Sequence, residues 1–159
     1  MATLITLKKP APIPFTLKAY EKMKADAVKL EKERGAILVR LQTAREMGDL
    51  SENGAYKAAK FELSTTDREL RRLGYLIKYG RVTKSKHEGT IDFGSKATIE
   101  LNDKKHQFMM VSVHESDPKK HKLSVESPIG KAIMGKKVGD KVTVSAPAGE
   151  VTYTVVDIE

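Results

Sequence analysis

Two acidic side chains, Asp49 and Glu52, stand three positions apart in a short polar segment between two long stretches of helical pattern. Two interpretations fit this spacing. In the first, they are a capping pair that opens the second helix, with both carboxylates near its positive end. In the second, they are ligands of Mg²⁺, a hard cation usually held by one or two carboxylates together with waters and other groups. Because two carboxylates make an incomplete site, the second interpretation requires a partner that supplies the remaining ligands and the substrate phosphates.

The helical patterns on either side predict how these acids are positioned. Thr16 is a candidate N-cap. The predicted seam residues after it alternate steps of three and four, the spacing of a coiled coil: Tyr20, Met23, Ala27, Leu30, Arg34, Ile37, Leu41 and Ala44. Gly48 is predicted to end this helix in a left-handed conformation. A second series follows with the same spacing: Tyr56, Ala59, Leu63, Thr66, Leu70, Leu73 and Ile77.

The two series mirror each other about residue 50, so the sequence predicts an antiparallel coiled-coil hairpin with the acids at its tip. An arm of about 30 residues would extend about 45 Å. An ordinary bundle of two amphipathic helices is the alternative. Arg34, at a seam position, either fixes the register or extends out of the seam.

A stripe of basic side chains lies off the seam on the second helix: Lys57, Lys60, Arg68, Arg71 and Arg72. This stripe is either a solvated face or a track for phosphate groups, whose contacts give affinity without sequence readout and weaken with salt. No aromatic ladder accompanies the stripe, so base stacking is not indicated.

The charge is unevenly distributed along the chain. The 159 residues carry a net charge of +8, with 17 basic and 10 acidic side chains in residues 1–83 but 12 and 11 in the remainder. Cysteine is absent, which excludes disulfides, thiolate metal sites and a thiol nucleophile. No apolar run approaches the ~18 residues of a membrane span, and three prolines interrupt the segment where a signal peptide would need its apolar stretch. We therefore expect a cytoplasmic protein without membrane association.

The second half has the alternation and turns of a β-rich domain. Strands are predicted at Thr90–Phe93, Lys96–Leu101, Gln107–His114, Lys122–Glu126, Lys141–Ala146 and Val151–Ile158. Ser127 followed by Pro128 predicts the start of one short helix. His87, His106, His114 and His121 lack metal-ligand spacing. The predicted organisation is an N-terminal extension (1–15), a helical hairpin (16–80, tip 47–54), a linker (81–89) and a C-terminal domain (90–159), an α+β protein.

The tip sequence resembles the hairpin-tip signature of the bacterial GreA/GreB transcript-cleavage factors: Gly48-Asp49-Leu50-Ser51-Glu52-Asn53, followed by Tyr56. Further matches in family order are Arg45, Phe93-Gly94, residues 127–135, Val138-Gly139-Asp140 and residues 147–150, so the resemblance covers nearly the whole chain. The tip is closer to GreA, whereas the positive hairpin is closer to GreB. The sequence departs at Gly54-Ala55, where Ala-Glu is expected in many members, which puts tip rigidity and local acidity in question.

The resemblance implies an FKBP-like antiparallel C-terminal β domain and a hairpin that enters the secondary channel of RNA polymerase. There Asp49 and Glu52 would hold a catalytic Mg²⁺ jointly with the polymerase, whose own active site cleaves the nascent RNA near its 3′ end. The isolated chain would bind no metal and would not be an enzyme itself. Gly48, Leu50, Ser51, Asn53 and Tyr56 would shape the tip or meet the polymerase, and the basic stripe would contact the RNA 3′ segment. We expect a monomer.

Three alternatives remain open at this point. Some hairpin relatives inhibit the polymerase through the same channel, although the intact acidic pair argues against that outcome here. A prolyl isomerase or chaperone would need an aromatic-lined pocket, for which the second half offers only Phe93, Phe108 and Tyr153. A general nucleic-acid-binding coiled coil is predicted by charge alone.

Overall fold

The computed structural model describes residues 10–49, 51–86 and 88–159. Three of the sequence predictions fall outside the described residues: those for Leu50, for His87 and for residues 1–9 of the N-terminal extension. Two compact units are present, one containing Tyr20–Gly80 and the other combining Pro12–Ala19 with Arg81–Glu159. A helical hairpin followed by a curled β sheet confirms the α+β class. No helix in the described parts of the chain combines the length and the apolar character needed to cross a membrane.

The hairpin consists of helix α1, Leu17–Glu46, and helix α2, Gly54–Tyr79. Thr16 caps α1 as predicted, since its Oγ1 accepts a hydrogen bond from the Ala19 N–H at 3.3 Å. Every predicted seam position is at least half-buried, and the most enclosed of them are Ile37, Ala44, Ala59 and Leu73. The strict alternation of steps missed Leu76, which is also buried.

Polar contacts across the seam confirm the antiparallel register. They join residues whose numbers mirror each other about residue 50 to within a few positions: Tyr20 Oη to Ile77 O at 3.0 Å, Arg34 Nε to Asp67 Oδ1 at 2.6 Å, and Arg40 Nη2 to Glu62 Oε2 at 2.5 Å. Arg34 thus has a fixed acidic partner on the opposite helix. Because partly exposed ion pairs contribute only about 0–1 kcal/mol, these pairs specify register more than they stabilise the hairpin.

The second unit is built on β strands. Strands β1 (Ile13–Phe15) and β2 (Gly80–Val82) form a two-stranded sheet. A five-stranded sheet contains β3 (Lys96–Leu101), β4 (Lys104–Val111), β5 (Lys122–Ser124), β6 (Lys141–Ala146) and β7 (Gly149–Ile158), in the order β5-β4-β3-β7-β6. The predicted bounds of β3 and β6 are confirmed. The pairing is antiparallel except between β4 and β5, which run parallel.

The prediction of a strand at Thr90–Phe93 is wrong. Thr90 forms only an isolated bridge to Lys137, and the chain then turns, with the Ser95 N–H bonded to the Asp92 carbonyl at 3.3 Å and Gly94 at a φ of +87°. The strand predicted to reach His114 ends at Val111, because the chain enters a single-turn 3₁₀ helix at Val113–Glu115.

The sheet packs its inner face around one apolar core: Ile91, Ala97, Ile99, Met110, Ile133, Val142, Val144 and Val155. Helix α3, Pro128–Ile133, contributes Ile133 and is capped by Ser127, whose Oγ accepts from the Gly130 N–H at 2.9 Å. A Cβ on Gly130 would lie 2.0 Å from the carbonyl oxygen of Ser124. Since that contact is with backbone, α3 can lie in this position only with glycine there.

We therefore predict that Gly130→Ala lowers the free energy of unfolding of the sheet unit by about 1–3 kcal/mol, because the added methyl group forces α3 away from the core. Chemical denaturation of the full chain, followed through NMR signals of the sheet, measures the change. Lys131→Ala, at the exposed neighbouring position, is the control and should leave stability within about 0.5 kcal/mol of the wild type. Equal stability of Gly130→Ala and the control would contradict the packing described.

Candidate metal-binding tip and basic face of the hairpin

The tip is closed by the side chain of Asn53. Its Oδ1 accepts a hydrogen bond from the Tyr56 N–H at 3.0 Å, which makes Asn53 the N-cap of α2, and its Nδ2 donates to the Ala44 carbonyl at 2.6 Å in the last turn of α1. One amide therefore satisfies a backbone donor of one helix and a backbone acceptor of the other. Gly48, at a φ of +116°, supplies the predicted left-handed residue after α1.

The interpretation of Asp49 and Glu52 as the capping pair of α2 is therefore wrong. Asparagine, aspartate and serine are nearly equivalent as caps, so the sequence did not distinguish Asn53 from Asp49. Among the described residues, neither tip carboxylate accepts a hydrogen bond from an N–H of α2.

Asp49 forms a local turn with Ser51 instead. Its Oδ1 accepts hydrogen bonds from the Ser51 N–H at 2.9 Å and from the Ser51 hydroxyl at 2.8 Å. The side chain is exposed, and these bonds, the backbone one first, hold the pKa of the Asp49 carboxyl below its ordinary value. Asp49 thus presents an ionised carboxylate with one oxygen oriented by Ser51, while no described residue bonds to Oδ2.

Glu52 is also exposed, and within the described residues its carboxylate makes no hydrogen bond or ion pair. The two tip acids are hard oxygen donors, the type that Mg²⁺ prefers, so their chemistry fits that ion. No group of three or more metal-ligating acids, histidines or cysteines occurs among the described residues. The tip is therefore chemically suited to provide part of a metal site.

The remaining predicted tip residues have structural positions. Ser51 orients Asp49, Tyr56 is half-buried at the first seam position of α2, and Gly48 permits the turn. Met47, directly after α1, is 73% exposed and was not singled out from the sequence.

The basic stripe of α2 is exposed along its length, but its members differ in their partners. Arg72 is held in a two-point ion pair with Glu69, with Nε to Oε2 at 2.9 Å and Nη2 to Oε1 at 2.5 Å. This pairing lowers the pKa of Glu69 and raises that of Arg72. Within the described residues, four members form no ion pair: Lys57, Lys60, Arg68 and Arg71. Spacing alone could have identified the Arg72 pair, since Glu69 and Arg72 are three residues apart on one helix.

Both halves of the chain match families of known proteins. Residues 13–82 match the family described as "Transcription elongation factor, N-terminal", and residues 85–159 match "Transcription elongation factor, GreA/GreB, C-term". A transcription elongation factor GreA of Thermodesulfovibrio yellowstonii is 36% identical over 155 residues, which cover 92% of this chain and 96% of the relative. The chain belongs to the GreA/GreB family of transcription elongation factors.

A second GreA relative agrees with membership of the GreA/GreB family. A transcription elongation factor GreA of Thermotoga neapolitana is 35% identical over 150 residues, covering 92% of this chain and 96% of the relative. Among solved structures, the crystal structure of GreA factor homolog 1 of Thermus thermophilus is 23% identical, covers 93% of this chain and 99% of its own, and has a TM-score of 0.45. The two family matches and the GreA relatives confirm the resemblance predicted from the tip signature, and the protein is a transcription elongation factor.

We predict that Ser51→Ala raises the pKa of Asp49 toward its ordinary value, because the hydroxyl bond to the ionised carboxylate is lost while the backbone bond remains. Ser51 orients the ionised Asp49 carboxylate at neutral pH, and this orientation is lost as the pH falls through the lowered pKa of Asp49. NMR titration of the Asp49 carboxyl carbon measures this shift. Ser64→Ala, further along α2, should leave the titration unchanged, and an unchanged pKa in Ser51→Ala would refute the assignment.

We also predict that Asn53→Ala lowers the free energy of unfolding of the hairpin by about 1–2 kcal/mol, since it removes both the cap and the bond to Ala44. Asn53→Ser is the matched variant, because serine can cap α2 but is too short to reach the Ala44 carbonyl. Its stability should fall between the wild type and Asn53→Ala in denaturation followed by helical circular dichroism. Wild-type stability of Asn53→Ser would mean that the bond across the hairpin contributes nothing.

Proposed function

We propose that this elongation factor inserts its hairpin tip into the secondary channel of RNA polymerase and adds Asp49 and Glu52 to the metal centre there. The polymerase then hydrolyses the 3′ segment of the RNA in backtracked complexes, and elongation resumes. The observation that carries the proposal is the exposed, ionised Asp49 carboxylate, which Ser51 orients. It lies in the turn between two helices that Asn53 joins by hydrogen bonds. A side chain that is to bind a metal ion held by another molecule must be exposed and charged. Within the described tip, the two carboxylates meet this requirement, since neither forms an ion pair.

The length of the hairpin supports this route. Helix α1 has 30 residues and α2 has 26, so at about 1.5 Å per residue the longer arm extends about 45 Å. The seam is narrow, with one stripe of buried side chains on each helix. A long two-helix rod of this kind can reach a catalytic centre at the end of a narrow passage.

The residues of the chain act as ligands rather than as a complete active site. Bound jointly with the polymerase, Mg²⁺ would supply Lewis acidity and lower the pKa of a coordinated water. Asp49 offers Oδ2 as a ligand atom while Ser51 holds Oδ1, and Glu52 offers a second carboxylate. On this proposal the chain has no turnover of its own, because two carboxylates do not complete a Mg²⁺ site. It works as a monomer, because one hairpin supplies both carboxylates.

The basic face has a separate part in the proposed function. Lys57, Lys60, Arg68 and Arg71 are exposed on α2, which continues from the tip. They would hold phosphates of the RNA 3′ segment that a backtracked polymerase extrudes, which gives affinity without sequence preference and makes binding salt-dependent. Arg72 would contribute less, because Glu69 already compensates its charge.

The deciding experiment compares Asp49→Asn and Glu52→Gln, made singly, in an RNA-cleavage assay on backtracked complexes. We expect each variant to bind polymerase but to stimulate cleavage at least about 10-fold less than the wild type. Mutating a residue that only hydrogen-bonds to a metal ligand already lowers metal affinity or activity about 10- to 100-fold, and here the ligand itself is changed. Glu46→Gln is the matched control, since it removes an exposed acid in the last turn of α1, and it should retain wild-type stimulation.

Two results would contradict the proposal. Equal stimulation by the tip variants and the wild type would leave the acids without a role in metal binding. Polymerase binding by the wild type with inhibition and no RNA shortening would instead identify a secondary-channel inhibitor.

A further inference from the structure

Phe61 is the most exposed large apolar side chain among the described residues, with 74% of its surface accessible. It lies on α2 away from the seam, so the hairpin gains nothing from its burial. Leaving a phenylalanine in water forgoes a burial that is worth about 1.5–3 kcal/mol. A single exposed apolar residue needs no explanation in itself, but its surroundings make this one informative.

The ring lies among the unpaired cations of the basic stripe. Residues three and four apart are neighbours on a helix surface, so Phe61 has Lys57 on one side and Ser64 on the other, with Arg68 one further turn along. Lys60 is adjacent in sequence and exposed. Proteins that bind single-stranded nucleic acid combine a positively charged track for the backbone with aromatic rings on which bases stack, and this face of α2 has both.

The acids of this part of α2 are all engaged. Glu62 pairs with Arg40, Asp67 with Arg34 and Glu69 with Arg72. The acidic groups near Phe61 are therefore already neutralised by these arginines, and the remaining cations give the surface around the ring a positive charge. Such a surface is complementary to a polyanion.

Phe61 also borders a groove of about 570 Å³ along the hairpin. Besides Phe61, the groove is lined by Ala36, Ile37, Thr65 and Thr66, by the ion-paired side chains of Arg40 and Glu62, and by Glu33, which pairs with Lys29. Its size lies within the range of about 300–1,000 Å³ that is typical of small-ligand sites. A flat ring at its edge, next to side chains that can donate and accept hydrogen bonds, suits an unpaired nucleobase.

We propose that Phe61 is a stacking platform for one unpaired RNA base, with Lys57, Lys60 and Arg68 holding the phosphates beside it. This inference rests on the proposed function, which brings an extruded RNA 3′ segment to this face. It also revises the expectation from the sequence that base stacking is not indicated, because one exposed ring among the cations can serve one base without an aromatic ladder. A protein surface without acidic groups is disfavoured, since docking it on the ring would desolvate the surrounding cations without pairing them.

The first measurement is independent of cleavage. A short single-stranded RNA with 2-aminopurine as one base is titrated with the full-length protein at low salt, and stacking is read as fluorescence quenching. We expect quenching with the wild type and with Phe61→Tyr, which keeps the ring, but not with Phe61→Ala. Val39→Ala is the control, because Val39 is a similarly exposed apolar residue on the outer face of α1, away from the buried Ile37. This variant should quench like the wild type.

The second measurement uses the full complex. The protein concentration that gives half-maximal cleavage is compared for backtracked complexes whose extruded RNA has normal bases or an abasic nucleotide. We expect Phe61→Ala to raise this concentration about 5- to 10-fold with normal RNA, the size of one weak stacking contact, and to have no effect with abasic RNA.

The outcomes separate the two proposals. Quenching that is unchanged in Phe61→Ala overturns the stacking inference, whatever the cleavage result. An equal loss with normal and abasic RNA also overturns it and points to a protein contact of the ring. Quenching that depends on Phe61, together with a wild type that fails to stimulate cleavage, supports the stacking inference and refutes the proposed function.

Discussion

The tip depends on one side-chain amide that binds two helices at once. Asn53 caps α2 through its oxygen and holds the last turn of α1 through its nitrogen, so the segment between them has fixed ends. Within it, Gly48 takes the positive φ that the reversal needs, and Ser51 orients the Asp49 carboxylate. Because Asn53 supplies the cap of α2, neither acid is needed as a helix cap; within the described residues Asp49 bonds only to Ser51 through Oδ1, and both acids are exposed.

Charge is organised differently along the shaft and at the tip. Along the described shaft, the acids Glu62, Asp67 and Glu69 are paired with arginines, two of them across the seam, which fixes the register and leaves cations of α2 uncompensated. At the tip, Asp49 and Glu52 have no ion pair among the described residues. The hairpin therefore presents negative charge at its end and positive charge beside it, the charges that the proposed contacts with a metal ion and with RNA require.

Much of the fold followed from periodicity. The seam positions, the mirrored register and the bounds of β3 and β6 were predictable, because each depends on local patterns that burial enforces. The cap of α2 was not, since Asp49, Ser51 and Asn53 are all good caps and only three-dimensional placement chooses among them. The parallel pairing of β5 was not predicted, because strand direction depends on which strand lies beside it. The strand at Thr90–Phe93 was predicted wrongly, because its alternation occurs in a segment that turns after a single bridge at Thr90. The tip acids could be chosen from type and spacing, whereas the rest of the proposed metal site lies in another molecule and leaves no trace in this chain.

The most direct test of the central claim, that the tip acids contribute to a metal site, is a Mg²⁺ titration of RNA cleavage by backtracked polymerase. If Asp49 and Glu52 bind the ion, the wild-type protein will lower the Mg²⁺ concentration needed for half-maximal cleavage, and the double variant Asp49→Asn/Glu52→Gln will restore the value of polymerase alone. A half-maximal Mg²⁺ concentration that is the same with and without the wild-type protein would contradict the account.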